Sequence, residues 1–239
     1  MPSRAAILSD LAREMARQEP GASLAGRLCA AAENILGVGG VAVTLAYTSD
    51  ERVTLCCTDD VATRVEDLQD VLGEGPGREA FTTGAQQFVD VGPGEDRRWP
   101  QFSSTVHDNL GPLSVCAIPI RPHHDVLGVL TCHLAYRQTL ALEAEPTQFL
   151  ADAIGVALLH DPHATDTDLS GPWTQRAQIH QATGMVVAQL HISPADALAL
   201  LRAHAFAASA PLGSIAKDIT ARRLDFRHHE TTDGTNDDA

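Results

Sequence analysis

The segment DPHATDTDLSGPW, residues 161–173, constrains the fold of this chain more than any other feature. It holds three acidic residues, two prolines and a glycine among few apolar side chains, a composition typical of a connection between folded units. Strand-like and helix-like patterns precede it, whereas only helical patterns follow it. The sequence therefore predicts a domain at 1–160, a linker at 161–173, a second domain at 174–228 and a disordered tail at 229–239.

Short apolar runs rich in β-branched residues predict the strands of the first domain. They are VGGVAVTLAY (38–47), RVTLCCT (52–58), QQFVDV (86–91), PLSVCAIPI (112–120) and VLGVLTCHL (126–134). Helical patterns occupy two runs within 4–36, a short stretch from about Pro76, and Thr147–His160. This order predicts an α+β domain in which helices pack on a largely antiparallel sheet.

The second domain is predicted to be a small all-α unit of three helices. Its first helix carries an apolar stripe at helical spacing: Ile179, Ala182, Val186 and Leu190. The dipeptide Ser193–Pro194 supplies the N-cap and the first residue of the second helix, and a third helix begins near Pro211. Three helices of this size bury little apolar surface alone, so either a partner chain or the linker helix is expected to pack against them.

Charge is distributed unevenly between the two predicted domains. The whole chain has a formal net charge of -14, which excludes a protein that coats nucleic acid or an anionic membrane with its entire surface. Residues 174–227, however, carry six Arg or Lys against three acids, and they form the only locally positive segment. Because local charge governs contact with phosphate, this segment is the candidate for a nucleic-acid interface.

The sequence predicts a cytoplasmic protein without a membrane span. It has no run of 18 apolar residues, and its first 20 residues lack the apolar core of a secretory signal. The five cysteines are odd in number and lie in apolar surroundings. Reduced core thiols are therefore expected rather than a disulfide framework.

Motifs for catalysis and metal binding are missing from the sequence. It contains no nucleophile elbow, no HExxH and no CxxC, and the GEGPG run lacks the Lys-Ser/Thr pair of a phosphate loop. No catalytic residue, metal site or cofactor is predicted on this basis. Cys56 and Cys57 are adjacent on a predicted strand, so at most one of them faces a pocket. They are either small core residues or a redox-sensing thiol beside a packed one.

The first domain resembles a GAF domain over roughly residues 22–160. The resemblance rests on LGEGPGREAFTTGAQQFVDV, on RRWPQF, and on SVCAIPI followed by VLGVLTCHL. It implies a sensor that binds a small ligand or dimerises, with a pocket lined by Cys56, Asp90, Trp99 and Phe102. Trp99–Pro100 is equally compatible with a structural plug. By analogy with sulfoxide-reducing GAF enzymes, one cysteine is an alternative nucleophile.

The second domain resembles an ANTAR domain, the RNA-binding antiterminator module of bacterial regulators, over residues 174–226. The residues that carry the resemblance are Ile179, Gln181, Ala182, Gly184, Met185, Ser193, Ala197, Leu201, Arg202, Ala205, Leu212, Ile215, Ala216 and Ile219. It implies a homodimer that binds paired hairpins in a transcript leader. The implied RNA-binding residues are Gln181, Ala182, Gly184, Arg202, Lys217, Arg222 and Arg223. Thr183 stands where the family often has Lys, so one possible phosphate contact is missing.

Several features of the helical segment have two explanations at this level. Gly184 in a helix interior costs about 1 kcal/mol relative to Ala, and it serves either close helix packing or close approach of RNA. The basic residues, led by Arg202, either form a solvated face or contact phosphate. Two other functions therefore stay open: a GAF-type redox or small-molecule enzyme, and a helical domain that only dimerises or docks a protein partner.

Overall fold

A computed structural model describes residues 2–19, 21–46, 52–92, 98–122, 125–160 and 172–226. Interactions within the chain separate it into two units, residues 1–173 and 174–239. The predicted linker lies outside the described residues except for Pro172 and Trp173, and the predicted tail lies outside them altogether. Each unit is therefore described by itself.

The elements follow the chain in this order: α1 (Arg4–Ala16), α2 (Leu24–Leu36), β1 (Gly40–Ala46), β2 (Arg52–Cys57), α3 (Asp60–Leu72), α4 (Pro76–Thr83), β3 (Gln87–Val91), α5 (Pro100–Leu110), β4 (Leu113–Ile120), β5 (Gly128–Ala135), α6 (Ala144–Leu159), α7 (Pro172–Leu190), α8 (Pro194–Ala207) and α9 (Leu212–Thr220). The first unit holds the strands, and the second unit is helical.

The strands of the described residues form one sheet in the order β2-β1-β5-β4-β3. Every neighbouring pair is antiparallel. Strands that follow each other in the sequence, β1 with β2 and β4 with β5, are direct partners in the sheet. The prediction of an α+β domain built on an antiparallel sheet is thus confirmed.

One face of the sheet is covered by α1, α2 and α6. Its buried core contains Leu28 and Leu36 from α2, Ile118 from β4 and Leu130 from β5, all completely shielded from solvent. The approach of α6 to β4 depends on Gly155, because a Cβ there would overlap the Ile120 side chain. A well-packed apolar layer of this size supplies the main stabilisation of the unit.

The other face carries α3, α4 and α5, of which α3 was not predicted. Asp59 caps α3 by accepting a hydrogen bond from the Ala62 N–H at 2.7 Å, and Gly73 ends the helix in the left-handed conformation. Its inner surface combines Val65 and Leu68 with buried polar side chains. That mixture hides the helical apolar stripe from a reading of the sequence alone.

In the second unit, α7 continues without a break through Thr183 and Gly184. The Thr183 hydroxyl donates to the Ile179 carbonyl at 2.8 Å, so the hydroxyl is satisfied inside the helix. Ser193 caps α8 by accepting from the Asp196 N–H at 3.1 Å, as the Ser193–Pro194 pattern predicted. The core of the unit is small and consists of Ala182, Val186, Ala197, Leu201, Ala205, Leu212, Ile215, Ala216 and Ile219.

Within the described residues, no single helix is long and apolar enough to cross a membrane. The helical segments Gln178–Leu190 and Pro194–Ala207 reach the necessary length and apolar composition only when taken together, and the chain bends by 107° between them.

Candidate functional site

An open stripe runs along one side of α7. Gln181, Gly184 and Ala188 follow one another at spacings of three and four residues, which places them on the same helix face, and all three are exposed. A Cβ added at Gly184 would meet no atom within 4 Å in the described part of the chain. Close packing within this unit therefore does not explain Gly184, and its helical backbone is accessible from outside.

The stripe leads to a cavity of about 310 Å³ in the second unit. The cavity lies between the second half of α7 and the segment that follows α9, and its lining residues are Met185, Ala188, Gln189, Arg222, Leu224 and Asp225. Phe226 holds the returning segment in place. Its N–H donates to Gln189 Oε1 at 3.4 Å, and its ring meets the His204 ring edge-on with 5.5 Å between centroids.

A turn at the end of α9 directs the chain back towards α7. The Arg223 N–H donates to the Asp218 carbonyl at 2.8 Å, and the Arg222 N–H donates to the Ile219 carbonyl at 2.9 Å. These are the paired bonds of a helix end with a left-handed residue, a position that glycine usually occupies. Here Arg222 occupies it with φ of +57°, so a charged residue lines the cavity at this position.

The predicted RNA-binding residues have different surroundings in the structure. Gln181, Gly184, Lys217 and Arg222 are exposed. Arg202 is half-buried on α8 and takes part in interactions within the chain. Arg223 forms an ion pair with Asp218 at 2.6 Å. Ala182 is completely buried in the three-helix core, so its side chain serves packing and is not part of the surface.

Sequence reasoning missed most of the cavity. The face shared by Gln181, Gly184 and Ala188 was visible from helical spacing, but Met185 and Gln189 belong to the site only because Leu224 and Asp225 fold back over α7. That return depends on the left-handed turn at Arg222. No residue type in the sequence signals the turn, because Arg is not a usual choice for it.

The residues predicted to line a sensor pocket do not lie together in the first unit. Trp99 and Phe102 are buried in a core with Val65 and Leu68, on the α3 and α5 side of the sheet. Cys56 packs against the core on the opposite side. Asp90 is exposed on β3 and accepts a hydrogen bond from the Ser114 hydroxyl at 2.5 Å. Trp99 and Phe102 are thus core residues of the first unit.

Cys29 and Cys56 form a disulfide that joins α2 to β2. The expectation that all five cysteines are reduced is wrong for this pair. The two cysteines are 27 positions apart in the sequence. Their proximity comes from the packing of α2 over the β1–β2 edge of the sheet, which a count of cysteines cannot reveal. Cys57, Cys116 and Cys132 remain free thiols.

The free thiols are poorly suited to nucleophilic chemistry. Burial, assisted by nearby carboxylates, raises the pKa of Cys57 to about 11, although a hydrogen bond to Thr63 opposes the shift. Burial also raises the pKa of Cys116 to about 12 and that of Cys132 well above its usual value. Because the thiolate is the reactive form, these groups are protonated and unreactive near neutral pH.

A buried polar network links β2 to α3, and sequence reasoning did not detect it. Arg52 Nη2 lies 2.7 Å from Glu66 Oε2, and both side chains are only 2% exposed. The same carboxylate accepts a hydrogen bond from Thr44 at 2.9 Å and another from Gln69 at 2.8 Å. Gln69 Oε1 in turn accepts the Gly77 N–H at 2.6 Å, so the network also holds the start of α4. In the described residues, no cluster of His, Cys, Asp and Glu is arranged to hold a metal ion.

Comparison with known protein families identifies both units. A GAF domain model matches residues 22–158, and an ANTAR domain model matches residues 168–219. The combination is that of a regulator with a sensor domain and an RNA-binding antiterminator domain. The chain belongs to the GAF family, whose model covers more than half of it, and carries an ANTAR domain after the GAF domain. Both resemblances drawn from the sequence are confirmed, and both domains are sensory or regulatory rather than catalytic.

Three GAF domains are among the solved structures that match part of this chain. The GAF-B domain of DevS from Mycobacterium smegmatis is 20% identical, with a TM-score of 0.39, and the match covers 57% of this chain and 90% of that one. The nlh2 GAF domain of A. aeolicus is 11% identical over 65% of this chain and 95% of its own, with a TM-score of 0.44. The GAF domain of an Acinetobacter phosphoenolpyruvate-protein phosphotransferase is 11% identical over 70% and 100%, also with a TM-score of 0.44. No curated protein sequence matches the chain.

Proposed function

We propose that this chain is a signal-responsive, cytoplasmic transcription antiterminator. Residues 174–228 bind hairpin RNA in a transcript leader as a homodimer, and residues 1–160 sense the signal across a linker at 161–173. The observation that carries the proposal is the match to an ANTAR domain on the only locally positive segment of the chain. Bound hairpin RNA prevents the competing terminator from forming.

The geometry of α7 supports an RNA interface. Gln181 and Gly184 lie on an open face, and Lys217 and Arg222 are exposed cations in the same unit. In RNA, proteins read unpaired loop bases through side-chain contacts and hold the backbone through its phosphates. A glycine on an open helix face permits the backbone of a loop to approach closely.

RNA binding is tested with the full chain and a library of hairpins whose loop sequences are randomised. The expected result is selection of a loop family with affinity that falls as salt rises, since phosphate contacts release counterions. Lys217→Ala is expected to reduce the salt slope by about one. Arg13→Ala, an exposed residue of α1 paired with Asp10, is the matched control and leaves the slope unchanged. Absence of any salt-sensitive RNA binding would refute the proposal.

A redox signal is favoured for the sensor domain by the disulfide between Cys29 and Cys56. Disulfides are rare in cytoplasmic proteins except where they form reversibly. In the proposed step, the two thiols exchange with a small-molecule disulfide. The Cys29–Cys56 bond forms, and the oxidant is released as two thiols that take up the two protons.

The redox step is tested by measuring RNA affinity of the full chain equilibrated in thiol–disulfide buffers of different potential. Affinity is expected to change with the potential in the parent chain and to become independent of it in Cys29→Ser. Cys57→Ser, which removes a thiol outside the disulfide, serves as control and keeps the response. If Cys29→Ser responds like the parent chain, the signal is not redox and a ligand must be sought.

The alternative is a helical unit that only dimerises or docks a protein. Phe206 and Leu200 on α8 favour it, because their side chains are 55% and 36% exposed and large exposed apolar groups often mark protein contacts. Phe206→Ser distinguishes the two functions. If the parent chain binds no RNA and the variant no longer dimerises, the result supports docking. If the variant is a monomer that still binds single hairpins, the result supports the antiterminator.

A further inference from the structure

We propose that the cavity between α7 and the segment 222–225 binds one unstacked base from the loop of the RNA hairpin. The inference rests on the proposed RNA-binding function and assigns a specific subsite to it. The cavity has a volume of about 310 Å³, roughly ten times the volume that one water molecule occupies in the liquid. It is therefore large enough to admit a planar base together with some solvent.

The lining has the chemistry of a base site. Met185, Ala188 and Leu224 are the apolar lining residues, suited to the faces of a ring, and Gln189, Arg222 and Asp225 are the polar and charged ones. Bases that leave the stack are held in this manner, with apolar contact on the ring and hydrogen bonds at its edge. A site for phosphate alone would not need the apolar wall.

The hydrogen bonds already made inside the site define what it offers a ligand. Gln189 Oε1 accepts the Phe226 N–H, so the NH₂ group of the amide is the remaining donor of that side chain. The Arg222 guanidinium adds further donors in a planar fork suited to two acceptors on one base edge. These donors match the acceptor pair of a purine, O6 and N7 of guanine, so the proposed occupant is a purine.

The stripe on α7 provides a path for the adjoining nucleotides. Ala188 belongs both to the cavity and to the open face of Gln181 and Gly184. A base in the cavity would bring the neighbouring sugar–phosphate backbone along this face, where Gly184 has no side chain and Gln181 has a polar one. A single bound loop would thus contact both the cavity formed by the turn at Arg222 and the helix face that carries Gly184.

The first test is Arg222→Gly in the full chain. Glycine suits a left-handed backbone, so the substitution removes the guanidinium while preserving the turn, and the helical circular dichroism should be retained. Affinity for the hairpin selected by the parent chain should fall about tenfold, the order expected when contacts to one base are lost. The matched control is Ser209→Gly at the end of α8, where φ is +49°; it should leave affinity unchanged.

A second variant fills the cavity instead of removing a contact. Ala188→Phe places a ring where the base is proposed to lie, at a position that is exposed on α7. Affinity should fall at least as far as in Arg222→Gly, with an unchanged oligomeric state by sedimentation. Altered oligomeric state with retained RNA affinity would show that a second copy of this chain covers the cavity, and would overturn the inference.

The decisive measurement combines the variants with RNA changes. Loop purines of the selected hairpin are made abasic one at a time. One of these RNAs should bind the parent chain about tenfold more weakly, yet bind Ala188→Phe no more weakly than the intact hairpin does. Equal losses on parent and variant would overturn the base site while leaving the antiterminator proposal intact. If the parent chain selects no hairpin at all, the proposed function itself fails.

Discussion

One ion pair in each unit of this chain shows how differently a charged pair can be placed. The GAF unit buries an Arg52–Glu66 ion pair inside a hydrogen-bonded network, with both side chains 2% exposed. The ANTAR unit keeps its Arg223–Asp218 pair at the surface, with exposures of 58% and 44%. A buried network has defined geometry and tolerates little change, whereas exposed cations remain available for a partner. The buried pair therefore serves the packing of the GAF unit, whereas the exposed residues of the ANTAR unit are accessible to a partner.

The largest expected effect comes from comparing two phenylalanines. Phe102 is completely buried in the GAF core, and Phe206 is 55% exposed on α8. Phe102→Ala should lower the free energy of unfolding by about 4 kcal/mol, since a large cavity is left behind. Phe206→Ala should change it by no more than about 0.5 kcal/mol. Urea denaturation followed by circular dichroism measures both, and similar losses would contradict the difference drawn between the units.

The ion pairs give the second comparison. Glu66→Gln leaves the buried Arg52 without its main counter-charge and should cost about 3 kcal/mol. Asp218→Asn removes an exposed partner of Arg223 and should cost less than about 1 kcal/mol. The midpoints of urea unfolding at 0.1 M and 1 M salt provide the measurement. If the loss of stability caused by Glu66→Gln depends strongly on salt, the Arg52–Glu66 pair is hydrated rather than buried.

Two glycines sharpen the contrast further. Gly128 on β5 lies against the Thr44 carbonyl of β1, so a Cβ there would overlap the backbone, whereas Gly184 faces open space. Gly128→Ala should destabilise the chain by about 2 kcal/mol. Gly184→Ala should stabilise α7 by about 0.5 to 1 kcal/mol, as expected in a helix interior. If RNA approaches this face, Gly184→Ala combines higher stability with weaker hairpin binding, and unchanged binding would argue against close approach.

The smallest effect concerns pH and Asp67. Burial, with a contribution from the nearby Asp70, raises the pKa of Asp67 to about 6, although Arg64 opposes the shift. The folded state therefore holds this proton more tightly than the unfolded state, and the stabilisation it gives at low pH is lost as pH rises from about 4 through 6. At pH 7.5 the free energy of unfolding of Asp67→Asn should exceed that of the parent by about 1 kcal/mol, measured by urea denaturation. The difference should shrink towards pH 4, and a constant difference would exclude the shifted pKa as its cause.

Much of this organisation was predictable from local sequence patterns. Short apolar runs predicted the strands β1, β2, β4 and β5, and the dipeptide Ser193–Pro194 predicted the start of α8. Local patterns did not reveal α3, because buried Glu66 and Gln69 interrupt its apolar stripe. They also gave no sign of the Cys29–Cys56 disulfide, whose members meet only when α2 packs on the sheet.

The sequence by itself determined the fold class of the strand-containing and helical parts, because that depends on periodicity and turn residues. The resemblances to GAF and ANTAR domains came from motifs such as LGEGPGREAF and the residues around Gly184. Tertiary structure decided which residues share a site. It buried Ala182, Trp99 and Phe102 and left Gly184 exposed. It also formed a cavity, because the turn at Arg222 brings the following segment back to α7. The physical reason is that exposure and proximity are set by how elements pack against one another. Residues far apart in the chain acquire these properties only when the whole domain is folded.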